Sequence, residues 1–146
     1  MSDQIAAPQQ LLDRLEIVDL VSRLGAWLDD KRWDDAPTIL TEDATAKTLG
    51  GTVQGRDVLV EQARRNHPED TGTQHVITNC VVELDGDRAE VRANLIVSFF
   101  SAAEIGQPLR QIGERYRFDA VRTDEGWRLA GVQALPMWLD GALPGE

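Results

Sequence analysis

The apolar positions of the chain follow two periods, and the change from one to the other divides it roughly in half. From Gln9 to Asp30, Leu12, Leu15, Ile17, Leu20, Val21, Leu24 and Leu28 recur at spacings of three and four, which predicts an amphipathic helix beginning near Pro8. A second, short helix from Trp33 to Leu40 turns Trp33, Ala36, Ile39 and Leu40 inward. Pro37 fits only its first turn or a kink. Residues 45–53 read as a hairpin turning at Gly50-Gly51, and Gly55 to Arg65 as a third helix with Val58, Leu59 and Gln62 inward.

From Thr73 onward the period is two. Thr73 to Leu84 and Arg88 to Ser101 flank the turn Asp85-Gly86-Asp87, Leu109 to Thr123 follows a loop, and a last strand runs from Trp127 to about Leu135. On Arg88 to Ser101, Ala89, Val91, Ala93, Leu95, Val97 and Phe99 share one face, and Glu90, Arg92, Asn94 and Ser98 the other. Helices first and a meander of long strands last predict a segregated α+β fold with the helices covering one face of the sheet.

Composition narrows what such a domain does. The 146 residues suit a single domain over 1–146, with its core at about 9–138. A net charge of −10 repels phosphate backbones and anionic lipid, so neither nucleic acid nor a membrane surface is an expected partner. Cys80 is the only cysteine: an intrachain disulfide and a Cys-rich zinc site are excluded, and a reducing cytoplasm fits. The first ten residues lack the basic start and apolar run of a secretory signal. No Asp/Glu/His cluster has ligand spacing and no Gly-rich loop joins a strand to a helix, so neither metal nor cofactor is expected.

Three segments, LDDKRWDDAPTILTEDA, TQHVITNCVVELDGDRAEVRA and ERYRFDAVRTDEGWRLAG, resemble in order and spacing the SnoaL-like branch of the nuclear-transport-factor-like superfamily. The resemblance implies a cone: a curved antiparallel sheet with three N-terminal helices enclosing a small-molecule pocket. It also implies a homo-oligomer, a dimer first, paired through the outer face of the sheet, where Ile96 and Phe100 interrupt a polar surface. Scytalone dehydratase, hexachlorocyclohexane dehydrochlorinase, polyketide cyclases, ketosteroid isomerase and limonene epoxide hydrolase share the class, so the fold leaves the chemistry open.

Asp29 lies on the helical line Val18, Val21, Gly25, Asp29, which borders the buried stripe. In the dehydratase and dehydrochlorinase relatives the matching aspartate partners a histidine on the first long strand, here His75. Elimination needs a base of near-neutral pKa, and a carboxylate on the far ring nitrogen fixes the imidazole tautomer. The leading expectation is a cofactor-independent lyase in which His75 and Asp29 are catalytic. Leu95, Val97 and Phe99 are expected on the pocket face, with Phe99 where scytalone dehydratase has a second histidine. Asn79 either bonds a substrate oxygen or pairs with backbone at a bulge. Tyr116 and Phe118 either line the wall or simply pack, and Trp138 either caps the mouth or meets a partner subunit. Asp30 and His67 are expected at the surface.

Three alternatives stand beside the lyase. A cyclase or isomerase would move the proton with Asp29 itself, and its ketosteroid isomerase variant would need a tyrosine and a protonated acid. An epoxide hydrolase would need a second aspartate, with Arg115 or Arg117 as the bridge. The last is a non-catalytic binding module.

Overall fold

The structure, a computed structural model, describes residues 2–142, with side chains from Ala7 onward. Residue 1 and residues 143–146 of the expected domain lie outside the described residues. The elements in chain order are helix α1 (Ser2–Asp30), a 3-10 helix (Trp33–Thr38), strands β1 (Leu40–Thr48) and β2 (Gly51–Gln54), helix α2 (Arg56–Asn66), and strands β3 (Thr71–Asp85), β4 (Arg88–Ser101), β5 (Arg110–Thr123) and β6 (Gly126–Gly141). The strands form one curved sheet in the order β2-β1-β6-β5-β4-β3. The expected α+β cone is therefore the architecture.

The structure differs from the sequence reading at five points. The sheet is not wholly antiparallel: β1 and β6 pair in parallel, Ala46 beside Val132, because the meander brings the last strand back alongside the first. The second helix is a single 3-10 segment ending at Thr38, with Pro37 inside it, and Leu40 already belongs to β1. Strand β6 continues past Leu135 to Gly141, paired with the first residues of β5. Pro136, which lacks an N–H, is tolerated there because it sits at a break in register between Gly113 and Glu114 of the partner strand. The inner stripe of α1 begins at Asp13 and runs through Ile17, Leu20, Val21, Leu24 and Leu28, whereas Leu12 and Leu15 are 59% and 61% exposed. On α2, Leu59, Gln62 and Ala63 are buried but Val58 is exposed.

Strand β3 is an edge strand, and α1 covers that edge. Near the middle of the helix Arg14 donates to the Val82 carbonyl at 2.6 Å. Just past its end Lys31, with φ +54°, donates through Nζ to the carbonyls of Pro68 and Thr71 at 2.6 and 2.7 Å. These bonds satisfy part of the free edge and fix the helix relative to β3. Where α1 meets the end of β5 and the start of β6, the buried Asp13 carboxylate accepts from the two terminal Arg122 guanidinium nitrogens at 2.8 Å and from the Trp127 indole N–H at 3.1 Å. The charges pair there, which is the condition for burying them.

Candidate functional site

The same packing carries the last turn of α1 onto β3. Gly25 makes the approach possible: a Cβ there would lie 3.1 Å from Ile77 Cδ1 and 3.6 Å from His75 Cβ. One turn later the Asp29 carboxylate meets the free N–H edge of β3. His75 Nδ1 lies 2.5 Å from Asp29 Oδ1, the His75 backbone N–H donates to Oδ2 at 3.0 Å, and the Thr73 hydroxyl donates to Oδ1 at 3.0 Å. Burial alone would push the Asp29 carboxyl up. The bonds from the His75 ring and N–H, the imidazole charge and the Thr73 hydroxyl outweigh it, and hold the carboxyl below its ordinary value. An ionised acceptor fixes the proton on Nδ1 and leaves Nε2 as the ring nitrogen with a free lone pair.

His75 lines a cavity of about 460 Å³ between the helices and the concave face of the sheet. Leu24, Trp27 and Leu28 contribute from α1, Leu59, Ala63 and His67 from α2 and its C-terminus, and Val97, Phe99, Ile112 and Ala134 from the sheet. The wall is largely apolar, with few polar groups, as small-molecule sites are.

Of the residues singled out in the sequence, the structure brings His75, Val97, Phe99 and Tyr116 to the cavity wall, with Asp29 behind His75. Leu95 and Phe118 are buried on the same face of the sheet but do not line the cavity; the Phe118 ring lies beside the Tyr116 ring, centroids 4.8 Å apart. Asn79 is not on the wall. It has φ +58° at the bulge between Thr78 and Val81, which breaks the alternation and leaves it exposed. Trp138 does not cap the mouth: its indole lies over Gly113 on the outer face. Arg115 and Arg117 are exposed on that face, Arg117 paired with Glu90, and among the described residues no arginine bridges Asp29 to a second aspartate. Asp30 is exposed, as expected.

His67 overturns the expectation of a surface residue. Its ring stacks on His75 with centroids 5.7 Å apart, and its Nδ1 lies 2.7 Å from the Ala63 carbonyl. Nδ1–H donates there, and Nε2 is buried without a partner. Burial lowers its pKa to about 4, the Ala63 bond opposing only in part. Nothing local in His67-Pro68-Glu69-Asp70 signals this, because the placement comes from α2 docking on the sheet. Glu114 was also missed. It sits on the inner face of β5 between Ile112 and Tyr116 and lines the cavity. The signal was present as one charged position on the alternating apolar row Ile112, Tyr116, Phe118, Ala120.

Fold and site together define a small α+β protein with a curved sheet and an interior cavity. Residues 9–133 match the SnoaL-like domain model, and the chain belongs to that family. It is 32% identical over 126 residues to the uncharacterised Mycobacterium tuberculosis protein Rv2910c, covering 82% of each chain. A scytalone dehydratase candidate from Novosphingobium aromaticivorans superposes with a TM-score of 0.81 at 15% identity, covering 98% of this chain and 93% of that one. A hexachlorocyclohexane dehydrochlorinase, LinA type 2, superposes at 0.77 with 21% identity, covering 94% and 97%. At these identities the two structures establish likeness of fold. Among the described residues no group of His, Cys, Asp and Glu is arranged to hold a metal ion, and no helix is long and apolar enough to cross a membrane.

Proposed function

We propose that the protein is a cofactor-independent lyase acting on a small, largely apolar organic molecule, with His75 as general base and Asp29 as its orienting partner. The observation that supports this is the 2.5 Å contact between Asp29 Oδ1 and His75 Nδ1 with the rest of the ring on the cavity wall. Nε2 takes a proton from a substrate carbon beside a leaving group. The carboxylate stabilises the imidazolium that forms, and the apolar wall keeps water from competing. The names of the dehydratase candidate and of the dehydrochlorinase point the same way. The reading in which Asp29 itself shuttles the proton is weaker, because that carboxylate already accepts from the His75 ring, the His75 N–H and Thr73 and stands behind the imidazole.

The test is turnover across a panel of β-hydroxy and β-chloro ketones, with nitrogen-15 NMR of the imidazoles of the unliganded protein. Expected are a His75 ring protonated at Nδ1 with a lone pair on Nε2, no elimination by His75→Ala, and a loss of roughly 10²- to 10⁴-fold in Asp29→Asn. A proton on Nε2 with a bare Nδ1, or His75→Ala as active as wild type, sinks the assignment.

A further inference from the structure

Elimination needs more than a base. When the leaving group is hydroxyl, the departing oxygen must receive a proton as the carbon–oxygen bond breaks; a halide needs none. Among the described residues, the cavity wall holds one carboxyl group that the base and its partner do not use, that of Glu114.

Its placement is specific. Across the inner face, His75 pairs with Val97 and Val97 with Ile112, while the next row runs Ile77, Leu95, Glu114. Glu114 therefore stands two strands from His75 and one row along, about 10 Å across the strands and about 7 Å along them at Cα, a gap that the curvature of the sheet narrows toward the cavity. A small substrate spans that gap. The register break between Gly113 and Glu114, opposite Pro136 of β6, falls at this residue, and such breaks re-aim side chains beside sites. Glu114 and Tyr116 stand two apart on the same face of β5, and each lines the cavity.

We infer that Glu114 is the general acid of this site, protonating a leaving hydroxyl, so that the substrate class is a β-hydroxy ketone. This rests on the lyase reading. The Tyr116 hydroxyl donates to the ketone oxygen, which acidifies the neighbouring C–H enough for an imidazole to remove its proton. His75 Nε2 takes that proton, and the C–H electron pair becomes the new C=C bond. The C–O pair leaves with the oxygen, which takes the Glu114 proton and departs as water. The imidazolium and the Glu114 carboxylate then exchange one proton, restoring both groups, and the net change is hydroxy ketone to enone plus water. Burial favours the required starting form: it raises the Glu114 carboxyl above its ordinary value, offset only in part by the charge of His75.

The experiment compares leaving groups on one skeleton. Wild type, Glu114→Gln and His75→Ala, each checked for folding by circular dichroism, are assayed on β-hydroxy ketones from diacetone alcohol to aryl-substituted homologues, and on the β-chloro counterparts. Difference infrared spectra of wild type against Glu114→Gln, with mesityl oxide bound, report the carboxyl at neutral pH. Expected is a loss of roughly 10²- to 10⁴-fold in Glu114→Gln on the alcohols, less than about tenfold on the chlorides, and a neutral-acid C=O band absent from the variant. Equal loss on both series, no turnover of any alcohol by wild type, or an ionised Glu114 overturns the proposal. His75→Ala retaining activity while Glu114→Gln still separates the two series would sink the base assignment and leave the acid standing.

Discussion

His67 and His75 stack with 28° between their planes, yet their neighbours divide them. A carboxylate holds one ring in place, whereas the other has only a backbone carbonyl and burial. His67 is therefore a neutral wall residue whose protonation opposes folding. Its pKa falls to about 4 from an ordinary 6.5, under burial and the charges of His75 and Lys31, with Asp29 opposing. The unfolded chain thus takes up this proton first, and stability is lost as pH drops from about 6.5 toward about 4, on the order of 3 kcal/mol in all. Urea unfolding between pH 7 and 4.5 should show that slope in wild type and a flatter one in His67→Phe. An NMR midpoint for His67 near 6.5 would contradict the account. At this scale the sequence was legible where local pattern fixes direction: the helical line through Asp29 and the alternation that carries Val97 and Phe99 both hold. It was illegible at Asn79, where one bulge changes the face, and at His67, whose surroundings are wholly tertiary.

Among the elements, α1 does the most to build the site, because one helix sets both the cover on the β3 edge and the position of Asp29. Its period was readable, but its rotation was only partly so: Leu12 and Leu15 satisfy the same spacings as the true stripe, and only contact with the sheet separates them. The strand alternation of β4 was readable throughout, since both its neighbours are strands and one face is fully covered. The tail of β6 was not, because Pro136 reads as a stop unless the register break opposite it is known. Gly25 gives the element-scale test. Alanine there gains helix propensity of about 1 kcal/mol against a 3.1 Å approach to a flexible Ile77 methyl, and stability should move by less than about 1 kcal/mol. Gly25→Leu overfills the same gap, and overpacking costs about 1–3 kcal/mol. It should also lift Asp29 from His75 and so lower activity more than stability explains. Wild-type turnover in a folded Gly25→Leu protein would show that the helix approach does not position the pair.

For the whole molecule, the outer face of the sheet remains to be explained. Val76 of β3 pairs with Ile96 of β4, Ile96 with Gly113 of β5, and Gly113 with Trp138 of β6, whose indole covers the glycine. The three side chains are 47%, 42% and 47% exposed, and they form one apolar row across four strands. On one side the row is bordered by Gln74, Ser98 and Gln111, on the other by Thr78, Asn94 and Arg115. An apolar centre with a polar rim is the anatomy of an interface rather than of scattered surface residues. We propose that a second copy of this chain covers it. A row crossing the sheet can lie against its own copy about a two-fold axis, residue facing residue, without any other surface, and the concave side stays free for the cavity. Sedimentation velocity at tens of micromolar should then give a dimer. Ile96→Glu, at an exposed position with little to lose in folding, should shift it to monomer while leaving the circular dichroism spectrum unchanged. A wild-type monomer at that concentration, or an Ile96→Glu protein that still dimerises, would remove this face as the contact.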